Sequence, residues 1–138
     1  MSRAHQTASA SRAKVMLLIT EDWFLLSHFQ PLVRALVGEF GDVVVVTTSS
    51  GRLLEIEALG ARTIAFDFDR ASMHPVRQAR IVQQLRALIR RERPDVVHAI
   101  ALKAIALGGV AFRSVDVEGR RPRFVMHLTG SGPVGSLA

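Results

Sequence analysis

Four histidines, His28, His74, His98 and His127, stand in or beside the segments that follow short apolar runs. An imidazole titrates near neutrality, so at such a place it can give or take a proton or hold a phosphate. The first of these segments is the richest. After VMLLIT come Glu21, Asp22 and Trp23, and then His28. Paired acids, an aromatic ring and an imidazole ahead of a helix suit a polar ligand such as a sugar or a phosphate. The plainer reading is that Glu21 and Asp22 end a strand and Trp23 packs. His98 sits near the end of an otherwise apolar strand, DVVHAI, where a histidine is either a hydrogen-bonded core residue or a catalyst. Lys103 follows it and offers a point charge to phosphate. His127 and Thr129 are two residues apart in an extended segment and so share a face. Thr129 and Gly130 open a TGSG stretch, whose backbone N–H groups either receive an anion or form a tight turn.

The missing motifs narrow the chemistry. TEDWFLLSH contains no glycine, so the G-x-G-x-x-G turn of dinucleotide oxidoreductases is absent, and no P-loop occurs. There is no H-E-x-x-H metal pattern and no G-x-S-x-G nucleophile. With no cysteine, disulfide scaffolds, thiolate metal sites and cysteine nucleophiles are excluded.

The elements that must position these residues alternate regularly. Continuous apolar or β-branched runs predict buried strands at Val15–Thr20, Asp42–Thr48, Arg62–Asp67, Asp95–Ile100 and Arg123–Leu128. Residues 21–26 (EDWFLL) read as a loop. Ser27 with Gln30 three residues on forms a capping box, with Pro31 in the first turn, and predicts a helix running to Gly41. Leu53–Leu59 reads as a short helix closed by Gly60. Pro75 opens a long helix stopped by Pro94, with Ile81, Val82, Leu85, Leu88 and Ile89 on one face. Leu102–Val115 reads as a helix that Gly108 and Gly109 weaken. Such alternation predicts an α/β domain with a parallel sheet between helices. Ligands in such sheets bind beyond the carboxyl ends of the strands. That directs attention to residues 21–28, 49–52, 68–74, 99–103 and 129–135.

The 138 residues suit one domain, and 49% of them are hydrophobic, enough for a full core. The net charge is +6, and all the basic residues but Lys14 and Lys103 are arginines. That favours anionic partners. Seven Phe, one Trp and no Tyr, with no RNA-module signature, argue against nucleic acid. The arginines of the long helix form either a solvated face or one that rests on anionic lipid. Residues 1–13 lack an apolar stretch and read as a disordered leader, with a short acid-free presequence as the other reading. No apolar run approaches the roughly 20 residues that span a bilayer.

Three blocks resemble bacterial family-4-like glycosyltransferases. VMLLITEDWFLLSHFQPLVRAL is similar to their opening T-E-D-W-x-x-x-S-H-x-x-P stretch. RRERPDVVHAIALKA is similar to their R-P-D-[IV]-V-H segment with the following A-L-K, and FVMHLTGSG to the strand and L-T-G-x-G loop that come next. The resemblance covers residues 14 to 135. It implies the Rossmann-like N-terminal half of a GT-B fold, the half that holds the acceptor. It further implies metal-independent, retaining transfer from a nucleotide-sugar co-substrate, with no other cofactor. The acceptor would be a glycan or a polyprenyl-linked carrier in surface polysaccharide synthesis, at the cytoplasmic face of the membrane. Glu21, Asp22, Trp23, Lys103, Thr129 and Gly130 would contact the acceptor, and His28, then His98, would assist the chemistry. Where many members carry a histidine after the fifth strand, this chain has Thr129. The donor-binding half would lie outside this chain, in cis or on a partner subunit, so residues 14–138 are expected to be inactive alone. A non-catalytic binding module and half of a sugar-nucleotide epimerase are the alternative readings.

Overall fold

A computed structural model describes residues 13–68, 74–113 and 122–128. The strands are β1 (Lys14–Glu21), β2 (Asp42–Thr48), β3 (Arg62–Ala65), β4 (Val96–Ile100) and β5 (Arg123–His127). The helices are α1 (Asp22–His28), α2 (Gln30–Phe40), α3 (Leu53–Glu57), α4 (Pro75–Glu92) and α5 (Leu102–Arg113). The strands form one parallel sheet in the order β3-β2-β1-β4-β5. That is the Rossmann-like architecture the alternation predicts. The order reverses between β1 and β4, and there two neighbouring crossovers leave in opposite directions and open a crevice.

The sheet is central because its inner strands are apolar on both faces. Val15–Ile19 and Val43–Thr47 are buried without a break. Alternate side chains then feed two cores. Met16, Leu18, Val44, Val46, Val97 and Ala99 pack with Leu85 and Ile89 of α4 and Ala104 and Leu107 of α5. Val15, Leu17, Ile19, Val43 and Val45 pack on the other side with Leu25, Phe29, Val33 and Ile56, from the α1–α3 layer. Burying each of these larger aliphatic side chains contributes on the order of 1.5–3 kcal/mol.

The segment after β1 departs from the sequence reading. Residues 22–28 are a helix, not a loop, and Ser27 lies inside it instead of capping the next one. The cause is the spacing of Leu25, Leu26 and Phe29, which lets one helical turn bury all three. Phe29 ends α1 and stands at the N-cap of α2, without a side-chain cap bond. Gln30 reaches back, its Nε2 donating to Leu26 O at 2.9 Å, so the expected capping box is replaced by a side-chain link between the two helices. Gly41, at φ 84°, closes α2 as expected. Strand β3 is shorter than predicted because Thr48 intervenes: its hydroxyl donates to Phe66 O at 3.0 Å and accepts from Phe68 N at 3.3 Å.

Helix α5 forms in spite of its glycines because close packing needs one of them. A Cβ on Gly108 would stand 2.6 Å from Leu18 Cδ1, so glycine lets α5 lie this close to β1 without displacing Leu18. At the amino ends of the strands a polar clasp ties the layers. Lys14 Nζ donates to Glu92 O at 2.6 Å, and Arg62 bridges Asp42 at 3.0 Å and Glu92 at 3.3 Å. The clasp leaves the opposite, carboxyl end of the sheet to carry loops and helix starts.

Candidate functional site

At the carboxyl end of β1 the chain turns directly from Glu21 into α1. Asp22, the first residue of that helix, is fully buried. Its Oδ1 accepts from Trp23 N at 2.7 Å and from Ser50 Oγ at 2.8 Å. Its Oδ2 accepts from Ser50 N at 2.8 Å and Arg52 N at 3.3 Å. Burial by itself would push this carboxyl up, but the bonds from Ser50, Arg52 and Trp23 outweigh it and hold Asp22 below the ordinary carboxylate value. The residue expected to line the acceptor side therefore spends its oxygens inside the protein. Glu21 is half-buried at the strand end, in register with Thr48.

Trp23 is 43% exposed, unusual for so large a ring, and it meets Phe24 edge-on with centroids 5.8 Å apart. His28 ends α1 and is exposed. Its Nδ1 lies 3.4 Å from Phe24 O, a long contact, and its ring sits 4.7 Å from that of Phe24. An Nδ1–H donating to that carbonyl leaves Nε2 as the lone-pair nitrogen, the form a general base requires.

Phe29 connects this group to the second half of the sheet. Its ring lies 6.4 Å from His28 and meets His127 at right angles, centroids 5.3 Å apart. His127 in turn lies 5.7 Å from His98. The register explains the last pair. His98 stands beside Val125, and Ile100 beside His127, so the two histidines are diagonal neighbours on one face. Desolvation, and then the proximity of His127, push His98 below the ordinary imidazole value. His98 Nε2 is buried with no hydrogen-bond partner among the described residues.

Beyond β4 the backbone is strained at Ala101, whose φ of 72° is a left-handed value that costs an alanine on the order of 1 kcal/mol. The strain turns the chain sharply from β4 into α5 and is held by Ala101 N donating to His127 O at 2.9 Å. Lys103 follows in the first turn of α5 and is half-buried.

The structure thus brings His28, Phe29, His127 and His98 into one chain of ring contacts that runs from the end of α1 to the carboxyl end of β5 and back to the middle of β4. It does not bring His74 there: that residue caps α4, its Nδ1 accepting from Val76 N at 3.2 Å. Thr129 and Gly130 lie outside the described residues, as does the expected leader apart from Ala13. The sequence reading missed Phe29 and Ser50. Phe29 looks like another core aromatic, and the tie from Asp22 to Ser50 spans a sequence separation that carries no local signal. Among the described residues no group of three or more His, Asp or Glu side chains is arranged to hold a metal ion.

The chain is similar to known proteins in sequence family and in fold. A family model described as Glycosyl transferase 4-like matches residues 14–132. A crystal structure from Listeria monocytogenes, of a protein described as a UDP-N-acetylglucosamine 2-epimerase, superposes with a TM-score of 0.57 at 20% identity. The match covers 75% of this chain and 30% of that one, so this chain spans under a third of that neighbour. No match is found among curated proteins.

Proposed function

The chain belongs to the Glycosyl transferase 4-like family, and from that premise we propose that it forms the acceptor-binding half of a GT-B glycosyltransferase. The observation that carries the reading is the chain of ring contacts from His28 through Phe29 to His127, the last residue of β5, and on to His98 on the adjoining face of β4. Parallel sheets bind ligands at this place, and three imidazoles there suit an acceptor hydroxyl or a phosphate. His28 is the first choice for the group that takes the acceptor proton, because it is an exposed imidazole at the end of α1. His98 is the second. Its ring is only part-buried and borders His127.

The donor would be a nucleotide-sugar held by a second domain, in cis or on a partner, and transition-state charge would be stabilised from both halves. This half by itself would transfer nothing. The acceptor would be a glycan or a polyprenyl-linked carrier for surface polysaccharide, and the transfer would retain configuration without a metal. Exposed Arg80, Arg90 and Arg91 along α4 support a peripheral position on an anionic membrane face. Among the described residues no helix is long and apolar enough to cross a membrane.

The test uses the full-length parent protein, radiolabelled nucleotide-sugars and a membrane extract with polyprenyl-linked acceptors. Label enters the lipid fraction with wild type and falls by about 100-fold or more with His28→Ala, the usual range for a lost general base. If a nucleotide-sugar is isomerised and no label reaches lipid, the reading is wrong and the protein is an epimerase, like the fold neighbour's description.

A further inference from the structure

The most fully satisfied polar group near the site is a carboxylate that no ligand in the crevice can reach. Asp22 is 0% exposed, and each of its oxygens accepts two hydrogen bonds. Three of the four donors are Ser50 N, Ser50 Oγ and Arg52 N, on the loop that follows β2. The fourth is the N–H of Trp23. A charged group held this way costs desolvation that an apolar residue would avoid, so its return is a fixed geometry. What it fixes is α1, which carries exposed Trp23 one residue later and exposed His28 at its far end.

We propose that Asp22 is a positioning residue whose buried carboxylate clamps the loop after β2 to the start of α1 and so sets Trp23 and His28 at the mouth of the acceptor site. The inference rests on the acceptor-side reading above. Asp22→Asn separates the clamp from mere bulk. An asparagine presents one oxygen and one amide in place of two oxygens. With its oxygen toward Ser50 N and Arg52 N, its amide faces Ser50 Oγ, which can rotate to accept, and Trp23 N, which cannot. The bond that is lost is therefore the one to Trp23. Ser50→Ala weakens the same clamp from the other side without touching Asp22.

The experiment measures acceptor and donor kinetics in the full-length parent, together with iodide quenching of Trp23, the single tryptophan of residues 1–138, read in a parent whose tryptophans outside that range are replaced by phenylalanine. Asp22→Asn lowers kcat/KM for the acceptor by about tenfold, as one lost charge-assisted hydrogen bond implies, while donor KM stays within about twofold. Ser50→Ala moves the same constant in the same direction by about threefold. Both variants raise quenching of Trp23 at a temperature where they remain folded. If Ser50→Ala is silent while Asp22→Asn is impaired, Asp22 contacts the acceptor directly and the positioning role is overturned. It is equally overturned if acceptor and donor constants fall together with the melting temperature, the pattern of general destabilisation. If wild type transfers nothing, the acceptor reading falls by itself, and the clamp is then judged by Trp23: unchanged quenching in both variants refutes it.

Discussion

Gly108 and Gly109 are neighbours in one helix, yet alanine should act on them in opposite directions. Both substitutions gain the same helix propensity, about 1 kcal/mol. At Gly109 a new Cβ meets only Phe124 ring carbons at 3.7 Å, an ordinary contact, so Gly109→Ala stabilises by about that 1 kcal/mol. At Gly108 the Cβ meets Leu18 Cδ1 at 2.6 Å, and either Leu18 or α5 must move by most of an ångström. Leu18 is fully buried among Met16, Val46, Ala99 and Leu107, which leaves its side chain little room. Overpacking of this kind costs about 1–3 kcal/mol, so Gly108→Ala is neutral to destabilising by about 2 kcal/mol after the propensity gain. The difference between the two variants, about 1–3 kcal/mol, is free of the propensity term. Urea denaturation reads it directly, and it corresponds to roughly 4 °C of melting temperature per kcal/mol for a domain of this size. Leu18→Val removes the clashing δ carbon, so in that background the penalty at Gly108 should shrink by about 1 kcal/mol or more. Equal effects at the two glycines, or no coupling to Leu18, would refute the close seating of α5 on β1. That seating also sets the position of the first turn of α5, which carries Lys103 and follows strained Ala101.

Other expectations follow from the same geometry. His98 titrates below the ordinary imidazole value, so the unfolded chain binds its proton more readily. The stability His98 contributes is therefore complete above the ordinary value of 6.5 and is lost as pH falls through the lower folded value. His98→Gln should flatten the fall in unfolding free energy as pH drops through and below 6.5, and an unchanged slope would count against burial of this imidazole. Glu92→Ala removes the shared partner of Lys14 and Arg62 and should cost about 1 kcal/mol, less at high salt, in the same urea assay. A loss insensitive to salt would point to packing instead of the ion pairs.

Much of the fold was legible because its signals are local. VMLLIT and DVVVVTT are apolar on both faces, which only a covered parallel sheet accommodates, and Pro75 and Pro94 bracket α4 within the sequence itself. Alternation then gave the architecture. The reading failed where two local signals competed. Ser27, Gln30 and Pro31 look like a helix start, yet burial of Leu25, Leu26 and Phe29 recruited the preceding residues into α1 instead. The glycines of α5 looked like weakness because propensity is local, whereas the contact with Leu18 is not. Of the site, the imidazoles at strand ends were visible by type and place. Their connection through Phe29 was not, since it depends on strand register and on the angle between α1 and α2. The role of Asp22 was hidden for the same reason: its partners lie 28 and 30 residues away, in a loop with no motif of its own.

The central claim is that this half faces the acceptor, and photo-crosslinking of the full-length parent tests it most directly. One probe is a polyprenyl-linked acceptor carrying a diazirine, the other an azido nucleotide-sugar, each followed by peptide mapping. The account predicts that the acceptor probe labels peptides containing residues 21–29 and 96–103, and that the nucleotide-sugar probe labels chiefly outside residues 14–132. Nucleotide-sugar label concentrated on the peptides of His28 and His98, with the acceptor probe elsewhere, would contradict it.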